Sequence, residues 1–260
     1  MRPPGPSASR GSAAVVAGLL LLGAGAISHW QSRRDPVAPS AGAAGQAAPA
    51  ADASGAALPV RSQLDSSTLA TLLARLEQAD RSWLPRVELL PDGRRRYVYK
   101  RRAGDPPLSL DQVKQLLRDP PRFEREQQAI RQLLSRLEQS GAVVVLDHPI
   151  RHGAAGEWNP RRGELRIRPD VPAKGSQEFA RVLNHESIHV AQSCRGGSLH
   201  AQPRPLGLPR ILDARARQHL AEPLYARVSA RERVLEEEAY GGQDQLMLGP
   251  QLLAAHCRPE

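Results

Sequence analysis

Cysteine is scarce in this chain, and neither a long membrane-spanning run nor an internal repeat is present. Only two of the 260 residues are cysteines, so at most one disulfide can form. An exported protein could keep such a bond. The apolar run at residues 13–27 has 15 residues, fewer than the roughly 17 to 25 that span a bilayer as a helix. It therefore predicts the core of a targeting signal or a short membrane tether.

The N-terminal part of the chain differs in composition from the rest. Residues 1–30 begin with a polar, basic stretch and continue into the apolar run, as in a signal peptide or an N-terminal membrane anchor. Ala24 and Ala26 form an A-x-A pattern that suits cleavage. Residues 31–62 are rich in Ala, Pro and Gly and predict a disordered linker. We expect one folded domain at residues 63–260, exported across or anchored in the cytoplasmic membrane, on its periplasmic or extracellular side.

Helical patterns lie at both ends of this domain, with strand patterns between them. Helical spacing of apolar residues predicts helices at residues 65–79, after Ser109 and before Gly141, from Ser176 to Gly196, at about 223–247 and at the C-terminal end. Alternating segments predict a hairpin around PDG, a strand AVVVLD, and a second strand pair around the turn NPRRG. The predicted fold class is α+β, with a small antiparallel sheet packed on the Ser176 helix and further helices on both sides in the chain.

Residues 182–192 read VLNHESIHVAQ and place two histidines four positions apart on a predicted helix. Side chains at this spacing lie about 40° and one turn apart, so His185 and His189 can present their imidazoles to one ion. Two imidazoles supply two corners of a tetrahedral zinc site. Glu186 lies about 100° round the helix, where it can accept a proton from a water acidified by zinc. The pattern favours a zinc site over a histidine pair satisfied by ordinary hydrogen bonds.

A catalytic zinc ion usually has three protein ligands and one open position, so another donor is needed. Cys194 is unsuitable, because it lies about 140° round the helix from His189. Glu236, Glu237 and Glu238 are consecutive on a predicted helix, and at most one of them can face the ion. The remaining candidates are more scattered: His200, Asp213, His219, Glu222 and Glu232.

The sequence NHESIHVAQ, followed 47 residues after His189 by EEEAY, resembles the gluzincin side of the zincin metallopeptidases. Uncharacterised bacterial exported metallopeptidase-like proteins with an HExxHxxQxC helix are the nearest in pattern. The metzincin branch is excluded, because it requires glycine and histidine where this chain has Gln192 and Arg195. The resemblance covers about residues 142–245 and leaves the first third of the domain without a counterpart.

This resemblance implies a zinc-dependent peptidase with a zincin-like fold and one Zn²⁺. The third ligand of gluzincins often stands in an E-x-x-A frame, which maps onto Glu236 with Ala239; Glu237 and Glu238 stay open. Glu186 would then activate water for attack on a peptide carbonyl of a peptide or protein substrate. In zincins an edge strand runs along the cleft, a role expected here for the strand ELRIRP, to which an extended substrate can pair.

Several residues near these positions are candidates for supporting roles. Gln192 and Asn184 are placed to orient a ligand ring, or to serve packing alone. Tyr240 could stabilise an oxyanion, or it could be an ordinary core tyrosine. A disulfide between Cys194 and Cys257 would pin the last helix beside the histidine helix, stabilising the fold by about 4 kcal/mol on the loop-entropy account; two buried free thiols are the alternative.

The chain carries a formal net charge of +9, of which residues 1–60 contribute +2. Much of the charge is arginine on helices rich in Glu and Gln, which is typical of solvated faces. The basic run at residues 94–102 contains Tyr97 and Tyr99 and suits a half-buried hairpin, so no nucleic acid partner is expected.

The alternative function is a non-enzymatic exported module with a structural metal site, binding an anionic polymer or membrane surface through this hairpin. A closed structural site needs a fourth ligand, and the sequence offers no obvious one, which favours the enzyme.

Overall fold

Residues 61–101 and 107–257, which the computed structural model describes, form helices packed around a small sheet. The strands are β1 (Ser62–Gln63), β2 (Arg86–Leu89), β3 (Arg95–Val98), β4 (Val143–Leu146), β5 (Gly156–Asn159) and β6 (Glu164–Ile167). The helices are α1 (Leu69–Trp83), α2 (Leu110–Arg118), α3 (Glu124–Gln139), α4 (Ser176–Arg195), α5 (Ala214–Leu220), α6 (Ala230–Gly242) and α7 (Leu248–His256). The α+β class is confirmed. The predicted signal segment, nearly all of the predicted linker, and Arg102 lie outside the described residues.

The main sheet is mixed, so the prediction of an antiparallel sheet was wrong. Its strand order is β1-β4-β6-β5, in which β4 and β6 run parallel while the outer pairs are antiparallel. The turn at residues 160–163 joins β5 and β6 as expected, but β4 pairs with β6 rather than with β5. Consequently β6, which contains the sequence ELRI, is an interior strand. The sequence analysis expected this strand at the edge of the sheet, but β5 lies there instead.

Helix α4 runs through the centre of the fold. Its core side chains include Phe179, Leu183 and Ile188, each fully buried, and it packs against α1, α3, α6, α7 and the strand β5. Ser176 begins the helix as predicted, but its cap is supplied from a distant part of the chain: the Asp80 carboxylate of α1 accepts hydrogen bonds from the Ser176 backbone N–H at 2.8 Å and hydroxyl at 2.6 Å. A helix held on so many sides presents its polar residues in fixed directions.

The C-terminal third is divided more finely than its periodicity suggests. The expected helix at 223–247 is instead a short 3₁₀ turn at Pro223–Tyr225 and the helix α6, followed by a non-helical segment that ends where α7 begins. Ser229 explains the break, because its side chain accepts from the Glu232 N–H while the Glu232 carboxylate accepts from the Ser229 N–H, which starts a new helix there. The short helix α5 was not predicted at all.

One disulfide joins the C-terminal ends of helices α4 and α7. Cys194 at the end of α4 is bonded to Cys257, which directly follows α7, confirming the predicted pairing. Asn184, fully buried in the middle of α4, connects the same helices, since its amide donates to the Gln243 carbonyl at 2.9 Å and its oxygen accepts from the Gly249 N–H at 2.9 Å. Asn184 therefore holds α6 and α7 against α4. None of the helices in the described ranges has both the length and the hydropathy that a bilayer crossing requires.

Candidate metal centre

His185, His189 and Glu236 converge on one point between α4 and α6. The two Nε2 atoms of the histidines are 3.2 Å apart, and the Glu236 Oε2 atom lies 3.5 Å from each of them. Ligand atoms placed 2.0 to 2.1 Å from a tetrahedral zinc ion are about 3.3 Å from one another. The three atoms therefore have the mutual spacing of three corners of such a site, and this group could hold a metal ion.

The Glu236 carboxylate is oriented by a residue that the sequence did not point to. Arg151, in the loop between β4 and β5, donates from Nη1 to Glu236 Oε1 at 3.3 Å, while the other oxygen faces the histidines. The loop is itself held by Glu157 of β5, whose Oε2 accepts from the backbone N–H groups of Ile150 and Arg151. Because Arg151 occupies one carboxylate oxygen and the other faces the histidines, Glu236 is arranged to bind a metal through one oxygen.

Gln192 fixes the orientation of the second histidine ring. Its Oε1 atom lies 2.8 Å from His189 Nδ1, and its amide nitrogen donates to the Leu235 carbonyl at 3.1 Å and to Glu238 Oε2 at 3.0 Å. Because the amide nitrogen is committed to two acceptors, Oε1 must be the acceptor and His189 Nδ1 must carry the proton. In the neutral ring Nε2 then has a free lone pair directed at the shared point, as a metal ligand requires.

The neighbouring glutamates are used elsewhere. Glu238 is 2% exposed, and its carboxylate accepts from the N–H groups of Leu206, Gly207 and Leu208 at 2.9, 2.7 and 3.1 Å. Glu237 lies on the outer side of α6, paired with Arg210 at 3.0 Å. The three adjacent acids thus point in three directions, and Glu236 is the one that reaches the histidines.

The other scattered candidates have local partners of their own. Asp213 caps α5 through the Ala216 N–H at 2.7 Å, and Glu232 belongs to the capping pair of α6. His219 pairs with Glu222 at 2.7 Å, and His200 lies 2.8 Å from the Pro160 carbonyl. In the part of the chain that the structure describes, the metal-ligating cluster contains only the two histidines and Glu236.

Charge and burial act together on the titratable groups of the cluster. Burial works against a charged imidazole, but the negative charge of Glu236 outweighs it and raises the pKa of His189 to about 9. Burial likewise opposes ionisation of Glu236, yet the adjacent histidines hold the pKa of its carboxyl well below the ordinary value. Without a metal, protonated His189 and ionised Glu236 therefore form a charged pair, and a metal ion would have to displace a proton in order to bind.

Glu186 points from α4 to the edge strand β5. Burial raises the pKa of its carboxyl above the ordinary value, although the neighbouring histidines oppose this. A Cβ atom at Gly156 would lie only 2.7 Å from Glu186 Cγ and 2.8 Å from its Oε1. Glycine is therefore required at this position of β5 if the carboxylate is to stay where it is.

Two cavities of about 520 and 430 Å³ meet at the cluster. Both are lined by Ala154, Gly156, His185, Glu186 and Tyr225. The smaller one also contacts Glu157 and Trp158 of β5 as well as His189 and Glu236. They are two arms of one cleft, with the cluster at their junction and the edge strand β5 along one wall.

Two tyrosines lie on the side of the cleft formed by α6. The Tyr240 ring packs edge-on against His185 with 4.6 Å between ring centroids, and its hydroxyl is 3.0 Å from that of Tyr225. Burial raises the pKa of both phenols, so they remain protonated at neutral pH. Tyr240 therefore braces a histidine ring, whereas Tyr225 lines both arms of the cleft. No signal in the sequence distinguished Tyr225 or Arg151, because neither stands in a motif or at a regular spacing from the histidines.

Comparison of the chain with models of protein families, with curated proteins and with solved structures found no match.

Proposed function

We propose that the protein is a zinc-dependent peptidase with a zincin-like active site. The observation that carries the proposal is the spacing of the three donor atoms, 3.2 to 3.5 Å, in a cleft that leaves one side of the cluster open. Two imidazoles and one carboxylate with an open position are a donor set typical of catalytic zinc. Zinc bound there would supply Lewis acidity toward a water molecule and a peptide carbonyl.

The residues of the chain then take separate roles. His185, His189 and Glu236 would hold the ion, and Arg151 keeps the Glu236 carboxylate turned toward the histidines. Glu186, which lies at the junction of the two arms, accepts the proton of the attacking water and passes it to the leaving amine. Tyr225, which lines both arms of the cleft, donates a hydrogen bond from its hydroxyl to the oxyanion that develops on the carbonyl.

The substrate is an extended stretch of peptide lying along β5. Within the described sheet β5 has a partner on one side only, so its other edge has backbone N–H and C=O groups free to pair with a peptide. The cleft runs past Gly156, Glu157 and Trp158 and continues beyond Glu186 into the larger arm. A disulfide in the fold suits an oxidising compartment, in keeping with the export expected from residues 1–30.

Metal analysis and proteolysis of the purified full-length protein test the proposal. We expect one zinc ion per chain in the wild type and in Glu186→Gln, and loss of zinc in His185→Ala and Glu236→Ala. With denatured casein as substrate, the wild type cleaves, and Glu186→Gln, which keeps the shape of the side chain, loses at least a hundredfold in rate. Glu237→Gln, the adjacent surface acid, serves as the matched control and keeps both zinc and activity.

Two results would separate this proposal from the alternative of a structural metal site. Stoichiometric zinc without cleavage of any unfolded protein would favour a structural ion in a binding module. Zinc retained in Glu236→Ala but lost in His185→Ala would overturn the assignment of the third ligand.

A further inference from the structure

Charged side chains line much of the larger arm of the cleft. Four cations from three parts of the chain contribute to this lining: Arg168, Lys174, Arg181 and Arg215. Some of these positive charges are neutralised by acidic residues of the protein, and others are available to a ligand.

Two of the arginines are paired with carboxylates at normal hydrogen-bond distances. Arg168 binds both oxygens of Asp170, at 2.5 and 3.1 Å, and its remaining nitrogen donates to the Gly153 carbonyl at 3.3 Å. Arg181 binds Glu178 at 3.0 Å and Asp244 at 2.9 Å. These guanidinium groups hold the walls of the arm together.

Arg215 is held much less well. Its Nη2 atom lies 3.4 and 3.5 Å from the two oxygens of Glu178, at the limit of hydrogen bonding, and its buried Nε atom has no partner among the described protein atoms. Glu178 makes its shorter contact with Arg181, so two guanidinium groups share one carboxylate. Arg215, with 14% of its side chain exposed, is thus largely buried, shares its carboxylate with Arg181 and has an Nε donor with no partner among the described protein atoms.

The acids that remain near this arm are already assigned. Glu222 pairs with His219 at 2.7 Å, and Asp170 is bound by Arg168. Glu186 is the general base of the proposed reaction. No carboxylate in the described lining is therefore left to complete the hydrogen bonding of Arg215.

We infer that the larger arm is a substrate subsite in which Arg215 binds a carboxylate of the peptide. The inference rests on the proposed peptidase function and names its substrate class. A planar guanidinium matches a carboxylate in shape and in donor direction, and an extended peptide offers this group as an Asp or Glu side chain or as its C-terminus. Because the arm also contacts His185 and Glu186, the carboxylate belongs to a residue close to the bond that is cleaved.

The position of Arg215 is set by the start of α5. The Asp213 carboxylate accepts from the Ala216 N–H at 2.7 Å and fixes the first turn of this helix. His219, one turn further on, lines the same arm and stacks with Tyr240 at 6.0 Å between centroids. Arg215 is thus carried on a capped helix that is tied to the tyrosine beside the metal centre, which suits a residue that selects a substrate.

Mapping of cleavage sites in denatured casein by the zinc-loaded full-length protein tests the inference. We expect Asp or Glu to be enriched at one fixed position beside the cleaved bond, or cleavage at one fixed distance from a free C-terminus. Matched peptides then distinguish the two sources: Glu→Gln at the selected position lowers kcat/KM at least tenfold if a side chain is bound, and a C-terminal amide does so if the terminus is bound.

The variants Arg215→Gln and Arg215→Lys complete the experiment. Arg215→Gln abolishes the difference between acidic and neutral peptides, whereas Arg215→Lys, a single point charge, keeps part of it. Arg210→Gln removes the same charge at a surface site paired with Glu237 and leaves the preference unchanged. Cleavage without any carboxylate preference, or an unchanged preference in Arg215→Gln, overturns the subsite alone. Absence of all cleavage by the zinc-loaded wild type contradicts the peptidase itself.

Discussion

Replacing Gln192 by leucine tests whether a residue that cannot touch the metal controls metal binding. In the wild type Gln192 Oε1 accepts from His189 Nδ1 at 2.8 Å, and the side chain is fully buried. Leucine has similar bulk but no acceptor, so the Nδ1–H is left without a partner in a buried place, at a cost of about 1–3 kcal/mol. The ring can relieve this cost by moving its proton to Nε2, the atom that must bind the metal.

Both effects weaken metal binding. Loss of a hydrogen-bond partner of this kind lowers metal affinity by about 10- to 100-fold, which corresponds to about 1.4–2.8 kcal/mol. The measurement is competition for zinc between the purified protein and a coloured chelator at pH 7. The control is Gln177→Leu, on the first turn of the same helix α4. It makes the same substitution away from the cluster and should bind zinc like the wild type.

An equal zinc affinity in Gln192→Leu and the wild type, within a factor of two, would refute the argument. It would mean that the His189 ring is held by packing alone and that its proton does not depend on Gln192. Because leucine also removes the bonds to Glu238 and to the Leu235 carbonyl, circular dichroism should first show that the variant is folded.

Three further outcomes are expected. Glu238→Gln should lower the free energy of unfolding in urea by about 3 kcal/mol, because it breaks a charged anchor for three backbone N–H groups, whereas Glu237→Gln on the surface should change it by less than about 1 kcal/mol; equal effects would contradict the anchor. Replacing both Cys194 and Cys257 by serine should lower the free energy of unfolding by about 2–5 kcal/mol, and no loss of stability would show that α7 is held without the disulfide. In chelator-treated protein the pKa of His189 is raised to about 9, above the ordinary 6.5. The stabilising contribution of the charged ring is therefore complete below pH 6.5 and lost as the pH rises through 9. A melting temperature that does not fall over this interval, relative to that of His189→Gln, would contradict this expectation.

The histidine helix illustrates how far local sequence carries a prediction. Apolar spacing and a pair of glycines after Arg195 predict the extent of α4, and a spacing of four places His185 and His189 on one face. These are properties of a single helix, which its own hydrogen bonds and periodicity determine wherever it packs. For the same reason the turn between β5 and β6 and the hairpin of β2 and β3 were predictable.

Choice among neighbours required the folded chain. For the third ligand the sequence favoured three adjacent glutamates and left five scattered residues as alternatives. The rotation of α6 against α4 places Glu236 at the histidines and turns Glu238 toward the backbone of residues 206–208. Rotation of one helix against another depends on packing across the whole core. The spacing of residues within α6 contains no information about this rotation.

The sequence by itself determined the α+β class, the paired imidazoles, the glutamate beside them and the cysteines available for a bond. Only the tertiary structure decided that β4 runs parallel to β6, that β5 is the edge along the cleft and that Asp80 caps α4. It also decided that Arg151 meets Glu236 and that Tyr225 and Arg215 line the cleft. The physical reason is range: the first group follows from interactions within a few residues along the chain, whereas the second depends on contacts between segments far apart in sequence.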